Sequence, residues 1–144
     1  MPVTYTNNWK NIADKLQNIF RSEFGASLPV YLGEGDYAGT QFLKILFNSN
    51  ELSEKHCAGE IREYSFSFVL YIMEANTMST ALAKLLRILA RTESLIANNR
   101  FMTLADSTNI MEGSIDSYLV AEGEENYEYI IEMDYTCLHF GNLA

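Results

Sequence analysis

Residues 60–74, EIREYSFSFVLYIME, decide the fold. Every second position carries a large apolar side chain: Tyr64, Phe66, Phe68, Leu70 and Ile72. Because successive side chains of a strand point to opposite faces, alternation of this length predicts a strand and does not fit a helix. We expect this strand to lie in the middle of a sheet.

A helix is predicted on each side of this strand in the sequence. The apolar period changes from 2 to 3.6 at Asn76, which predicts a helix over residues 80–97. Its predicted contacts with the sheet are Leu82, Leu85, Leu86 and Leu89. Near the N-terminus, apolar residues from Trp9 to Phe24 follow the helical spacing, with Asn7 or Asn8 placed to cap the start and Gly25 to end the helix.

Four further strands complete the prediction. Residues 28–32 and 42–47 are short apolar runs, whereas the polar segment 48–59 predicts an exposed loop. Residues 109–121 and 127–140 predict a hairpin joined by a turn at residues 123–126. The order α-β-β-β-α-β-β indicates an α+β fold: a single mixed or antiparallel sheet of about five strands with two helices packed on it, forming one domain over residues 1–144.

The negative charge is concentrated in the last third of the chain. Residues 1–100 hold all ten Lys and Arg and are neutral, so the net charge of −9 arises entirely after residue 100. A surface of this kind repels nucleic-acid backbones and does not suit a specific DNA reader. It is equally typical of a solvated acidic face.

Three of these carboxylates share one face of the last predicted strand. Glu128, Glu132 and Asp134 have even parity, whereas Tyr129, Ile131 and Met133 have odd parity. The strand period places the two sets on opposite faces, and burying three carboxylates without a local cation would be very costly. We therefore expect the even set to face an open surface, and its extent along the strand is too great for one metal or acid–base site.

No pattern of catalytic or cofactor-binding residues emerges. His56-Cys57 with Cys137 and His139 are the soft metal ligands, but their spacing matches no common zinc motif. Neither cysteine lies in a nucleophile signature, and free buried thiols are expected. The sequence predicts no enzyme, no metal and no cofactor, and its longest apolar run, residues 68–73, is far too short to span a membrane.

The whole pattern resembles the tail-terminator, or tail-completion, proteins of long-tailed bacteriophages. The resemblance rests on residues 63–71, the helix over residues 80–96 and the aromatic strand over residues 127–135. It implies a non-catalytic subunit of a homo-oligomeric ring, usually a hexamer, at the head-proximal end of the tail in the virion, after assembly in the host cytoplasm. The implied partners are the tail-tube protein and the head–tail connector or neck protein, with DNA passing through the ring without specific binding and no membrane involved.

Three alternatives remain open on the sequence, one of which is a small hydrolase built on Cys57 or Cys137. Neck and head–tail joining proteins share much of the same pattern. A small cytosolic binding module could instead use the acidic hairpin to hold a basic partner. Within a ring, the face with Glu128, Glu132 and Asp134 would line either the channel, where it would keep phosphates from adhering, or a solvated rim.

Overall fold

The computed structural model describes residues 5–35, 37, 39–56, 59–73, 78–122 and 128–141. Two helices are present in this part of the chain, α1 (Asn8–Phe24) and α2 (Met78–Asn98), with a short 3-10 turn at Gly25–Ser27 after α1. Six strands accompany them: β1 (Val30–Leu32), β2 (Gln41–His56), β3 (Gly59–Met73), β4 (Met102–Thr103), β5 (Asn109–Glu122) and β6 (Glu128–Gly141).

The strands form one curled, mixed sheet in the order β1-β2-β3-β6-β5-β4. β1 runs parallel to β2, and all other neighbours are antiparallel. The predicted α+β class is confirmed, and β3 occupies the central position expected for it. The described residues form six strands, one more than predicted, because β4, a two-residue strand, carries too little pattern to be found in the sequence.

Both helices cover the same face of the sheet. Helix α1 begins where the Asn7 side chain accepts a hydrogen bond from the Lys10 amide and ends at Gly25, whose φ of +61° suits glycine. Its buried residues join those of α2 and of β3 and β6 in one apolar core. The largest fully buried side chains of β3 and β6 are Phe66, Phe68, Leu70, Ile72 and Tyr135.

The second strand is much longer than predicted. Residues 48–56 continue β2 and pair with β3, so the expected exposed loop over residues 48–59 is wrong. This extension is mostly exposed and contains two register shifts, between Phe47 and Ser49 and between Leu52 and Glu54. Backbone pairing with β3, and not apolar burial, holds it in the sheet, which is why its polar sequence indicated a loop.

Helix α2 exists as predicted, but its buried face is different. Leu85 is buried, whereas Leu82 and Leu86 are exposed, so their predicted packing on the sheet is wrong. The residues that face the core are Ala81, Leu85, Ile88, Thr92 and Ile96. Two of these are small or polar, so the helix approaches the sheet on a narrow stripe and leaves part of its leucine surface outside the core.

Neither helix in the described part of the chain is apolar over enough length to cross a lipid bilayer.

Candidate functional site

The sheet face opposite the helices carries most of the charge in β3, β5 and β6. We call this surface the acidic face and define it by Glu63, Asp116, Glu128, Glu132 and Asp134. Alternation along β6 produces it: the odd positions Tyr129, Ile131 and Met133 are buried in the core, so the even positions point away from it.

The three carboxylates singled out in the sequence lie on this one surface, with different exposure. Glu132 is exposed, while Glu128 and Asp134 are half-buried among their neighbours on adjacent strands. Asp134 lies between Ser67 on β3 and Ser117 on β5, and Glu132 lies between Val69 and Leu119.

Asp134 is held by hydroxyl groups from both neighbouring strands. Its Oδ2 accepts a hydrogen bond from the Ser117 hydroxyl at 2.8 Å, and its Oδ1 lies 3.5 Å from the Ser67 hydroxyl. Ser67 in turn accepts a hydrogen bond from Asn48 Nδ2 at 2.7 Å. A row of polar side chains therefore crosses four strands, and it stabilises the carboxylate without a cation.

Asp116 repeats this arrangement on β5. Its carboxylate accepts hydrogen bonds from the hydroxyls of Thr136 at 2.7 Å and Ser114 at 3.0 Å. It lies at a register shift between Ile115 and Ser117, where an extra residue in β5 turns its side chain toward β6. The bulge thus adds a carboxylate to the acidic face that the parity of β5 alone does not predict.

Glu128 lies at the far end of the face beside an aromatic group. Its Oε2 accepts a hydrogen bond from the Tyr71 hydroxyl at 2.8 Å. The Tyr71 ring stacks on Phe42 with centroids 4.9 Å apart, and Tyr31 and Tyr37 stack on each other at 4.0 Å nearby. This aromatic cluster fixes the end of β3 and with it the direction of Glu128.

Glu132 has no hydrogen-bond or ion-pair partner among the described residues, and the cation on its row of the sheet is already engaged. Lys44 occupies that row on β2, two strands away, and pairs with Glu34 at 3.1 Å. Glu132 is thus exposed to solvent without a described partner of opposite charge, and Glu63 and Asp116 on the same face are exposed as well.

A recess of about 440 Å³ lies at the other end of the acidic face. Glu63, Glu112 and Thr136 line it together with the Arg100 side chain, so the recess presents both signs of charge. Cys137 also borders it, but its thiol is buried, and burial raises its pKa to about 12. A thiol in this state is not a nucleophile near neutral pH.

The two soft ligands on β6 are structural members of the core. Cys137 and His139 share the buried face of the strand, as their i, i+2 spacing predicts. The remaining residues of the zinc hypothesis, the His56 side chain and Cys57, lie outside the described residues. Within the described residues, no group of three or more His, Cys, Asp or Glu is arranged to hold a metal ion.

His139 belongs to a hydrogen-bonded chain that sequence reasoning missed. The Thr108 hydroxyl donates to Asp106 Oδ1 at 2.6 Å and lies 2.8 Å from His139 Nε2. Since that hydroxyl hydrogen is used on Asp106, the ring nitrogen is the donor to Thr108. Burial lowers the pKa of His139, against the smaller opposing effect of Asp106, so the ring is neutral and ties the β4–β5 loop to β6.

Comparisons with known proteins give a fold likeness only. No protein-family model matches the sequence, and the curated proteins contain no match. Among solved structures, a chain of the structure described as "Virion of native gene transfer agent (GTA) particle" matches with a TM-score of 0.52 and 13% identity. The match covers 93% of this chain and 95% of that chain, so the two share a fold over nearly their whole lengths.

Proposed function

We propose that this chain is a structural protein of a phage-like virion, and more specifically a tail-terminator-like ring subunit. The observation that carries the proposal is the fold likeness to a chain of a gene transfer agent virion, which extends over nearly all of both chains. The alternating strand, the second helix and the acidic hairpin point to the same class by their pattern.

In this proposal residues 1–144 form one tail-terminator-like domain whose surfaces act in assembly, not catalysis. The chain forms a ring with copies of itself, most simply a hexamer, that caps the tail tube at the head-proximal end. The ring then offers a docking face to the head connector or neck protein, while DNA passes through without specific binding.

The acidic face supports a position along the channel. Glu128, Glu132 and Asp134 lie on a surface that the helices leave uncovered, and hydroxyls, not cations, hold Asp134. DNA that must slide past such a surface is repelled, whereas exposed cations would bind its phosphates.

The mass of the assembly tests the ring. We expect light scattering to give a mass several-fold above the 16.4 kDa of one chain, either for the free protein or after addition of tail tubes. A chain that stays monomeric in both conditions contradicts the ring and leaves the smaller binding module as the better hypothesis. Binding to tail tubes or to isolated heads separates a tail terminator from a neck protein.

Charge reversal tests the channel. The triple variant Glu128→Lys/Glu132→Lys/Asp134→Lys should still cap tubes, but virions that contain it should inject DNA poorly because the new cations hold phosphate. The defect should ease at high salt, which screens the attraction. The matched control is Glu128→Gln/Glu132→Gln/Asp134→Asn, which removes the charge without adding cations and should inject nearly normally. Normal injection by the lysine variant would leave these carboxylates as a solvated face.

A further inference from the structure

Strand β5 has a long open edge. β4 pairs only with Asn109 and Ile110, so no described strand lies on the outer side of β5 over residues 112–122. On its inner side, β5 pairs with β6 without a register shift from Ser117 to Glu122. A regular edge of this kind presents a row of amide and carbonyl groups that another strand can pair with.

Apolar side chains stand on this regular part of the edge. Val120 is 53% exposed and Leu119 is 65% exposed, and Tyr118 is also an exposed large side chain. Tyr118 and Val120 point to the helix side of the sheet, because their partners on β6, Met133 and Ile131, are core residues. Leu119 points to the acidic face.

Helix α2 forms a wall beside this edge. Glu93 of α2 lines the same cavity as Tyr118, and burial first, then this carboxylate, raise the pKa of Tyr118. The Gly113 amide donates to the Arg100 carbonyl oxygen just after α2, whereas Tyr118 lies beside Glu93 further along β5, so α2 runs antiparallel to β5. Two residues further along the strand then correspond to about four residues back along the helix, or roughly 6 Å in each case. From this direction we infer that the exposed Leu86 and Leu82 lie beyond Val120 on the same side of the molecule. We call this surface the β5–α2 groove and define it by Tyr118, Val120, Leu82 and Leu86.

A recess adjoins the groove at Tyr118, on the side toward Gly113 and Ile115. A cavity of about 190 Å³ lies between α2 and β5, and Ile96, Ala97, Ile115 and Tyr118 are among its lining residues. Recognition by strand addition needs such recesses, since main-chain hydrogen bonds give affinity and recesses for alternate side chains give specificity.

The charge around the edge selects the chemistry of the occupant. The described residues of β5 and β6 include six carboxylates and no Lys or Arg. A strand added to β5 would place one set of side chains in the groove and the other beside Leu119 and Glu132 on the acidic face. The complement of this edge is thus a segment that alternates apolar residues with Lys or Arg.

A second copy of the chain is a poor complement. Pairing two β5 edges would join two strands that carry the carboxylates Asp116 and Glu122 and no Lys or Arg, so the pair would gather like charge without a compensating cation. The open edge of β2 has two register shifts and carries Glu51, Glu54 and Lys55, so it offers neither a regular strand nor excess positive charge.

We propose that the β5–α2 groove binds an extended basic segment of a partner protein by strand addition to residues 117–122. The segment's apolar side chains enter the groove, and its Lys or Arg side chains lie over the acidic face. This partner surface goes beyond the proposed function.

The probe is a short blocked peptide in which Lys and Val alternate, added to the full chain in whatever oligomeric state it adopts. We expect binding by fluorescence anisotropy, with new amide-exchange protection at alternate residues of 117–122. Val120→Lys should weaken binding roughly tenfold or more, since a lysine on the edge blocks pairing and repels the peptide. Leu52→Lys, at a similarly exposed residue of the β2 edge (50%), should leave binding unchanged.

Two control peptides separate strand addition from charge alone. A peptide of the same composition with its valines grouped together should bind much more weakly, and a Glu–Val alternating peptide should not bind. Equal binding of the grouped peptide, or equal losses from Val120→Lys and Leu52→Lys, would overturn the proposal. Protection of residues 117–122 that grows with protein concentration in the absence of peptide would also overturn it, in favour of self-pairing. The mass of the assembly is measured by light scattering in the same samples. Failure of the protein to form a ring can therefore be distinguished from failure to bind the peptide.

Discussion

The two long edge strands of this sheet, β2 and β5, both have unpaired backbone groups along their outer sides, but they differ in how far these groups are protected from pairing with another strand. The outer side of β2 over residues 46–56 and that of β5 over residues 112–122 both lack a described neighbouring strand. β2 is interrupted by two bulges and carries Glu51 and Lys55 on its exposed part. β5 becomes regular after its bulges and exposes Leu119 and Val120 there.

The difference shows which edge is protected against association. Bulges and charged side chains are the usual means by which proteins blunt an edge strand. β2 has both over its outer segment, whereas the last six residues of β5 have neither a bulge nor a positive charge. An edge left regular and apolar beside a helix is better explained by a partner than by a solvent-facing role.

The largest expected change in unfolding free energy tests whether the side of α2 next to β5 is exposed. Leu85→Ala should lower the free energy of unfolding by about 2–5 kcal/mol, because Leu85 is a buried core residue. Leu86→Ala should change it by no more than about 0.5 kcal/mol, since Leu86 is 55% exposed. Denaturant unfolding measures both. Equal losses for the two variants would mean that Leu86 is packed and that the groove is not open.

That pair of leucines also shows what the sequence can and cannot predict. The strong alternation in β3 and β6 predicted both strands, because each buries one face completely. The helix over residues 80–97 was equally clear, but the four leucines predicted to pack on the sheet span a wider arc than the sheet covers. Which of them are buried depends on how closely Ala81 lets the helix approach, and that is decided by tertiary packing.

The remaining errors have the same origin. The outer half of β2 is a strand because β3 pairs with it, and no local apolar signal records that contact. The sheet face on which Glu128, Glu132 and Asp134 lie followed from parity, but the hydroxyl partners of Glu128 and Asp134 could not be predicted. Ser67 and Ser117 are brought beside Asp134 by the register of three strands, and Asp116 joins the face through a bulge. Parity therefore predicts a face, and strand register decides its contacts.

The second prediction contrasts the bulges of the two edges. A Cβ on Gly113 would clash with the Tyr135 hydroxyl oxygen, and Tyr135 is fully buried. Gly113→Ala should therefore cost about 1–3 kcal/mol of stability by overpacking. Ser53→Ala, at the second register shift of β2, should cost less than about 0.5 kcal/mol because that residue is exposed. Similar losses in thermal or denaturant unfolding would show that both bulges are packed, contrary to the structure.

The third prediction concerns the N-terminal end of β5, where His139 is hydrogen-bonded to Thr108. Burial lowers the pKa of His139, and its ring nitrogen donates to Thr108 just before β5 begins. The unfolded chain then binds a proton that the folded chain resists, so stability is full above the ordinary histidine pKa of about 6.5 and is lost as pH falls below it. Asp106 is the charged group that faces this chain, and Tyr64 packs on the imidazole ring.

Replacing the histidine isolates its contribution. Unfolding free energies of the wild type and His139→Gln should be compared between about pH 7.5 and pH 5, where one proton gives a slope of at most about 1.4 kcal/mol per pH unit. The wild type should lose stability faster than the variant as pH falls. Parallel pH profiles would mean that the ring is protonated in the folded protein as readily as in the unfolded one.

The smallest expected effect is on the two edges themselves. Val120→Lys and Leu52→Lys replace apolar residues of nearly equal exposure on opposite edges, and each should change the unfolding free energy by no more than about 0.5 kcal/mol. Residue 120 lies near Glu122 on the same side of β5, so a lysine there gains a weak attraction, whereas the charges around residue 52 are mixed. We therefore expect Val120→Lys to cost no more than Leu52→Lys at low salt, and this advantage should disappear in concentrated salt as the attraction is screened. Chemical unfolding at two salt concentrations measures the change in unfolding free energy for each variant and its dependence on salt. A loss well above 1 kcal/mol for Val120→Lys alone would show that the β5 edge is covered within the free chain, and the contrast between an open and a blunted edge would then fail.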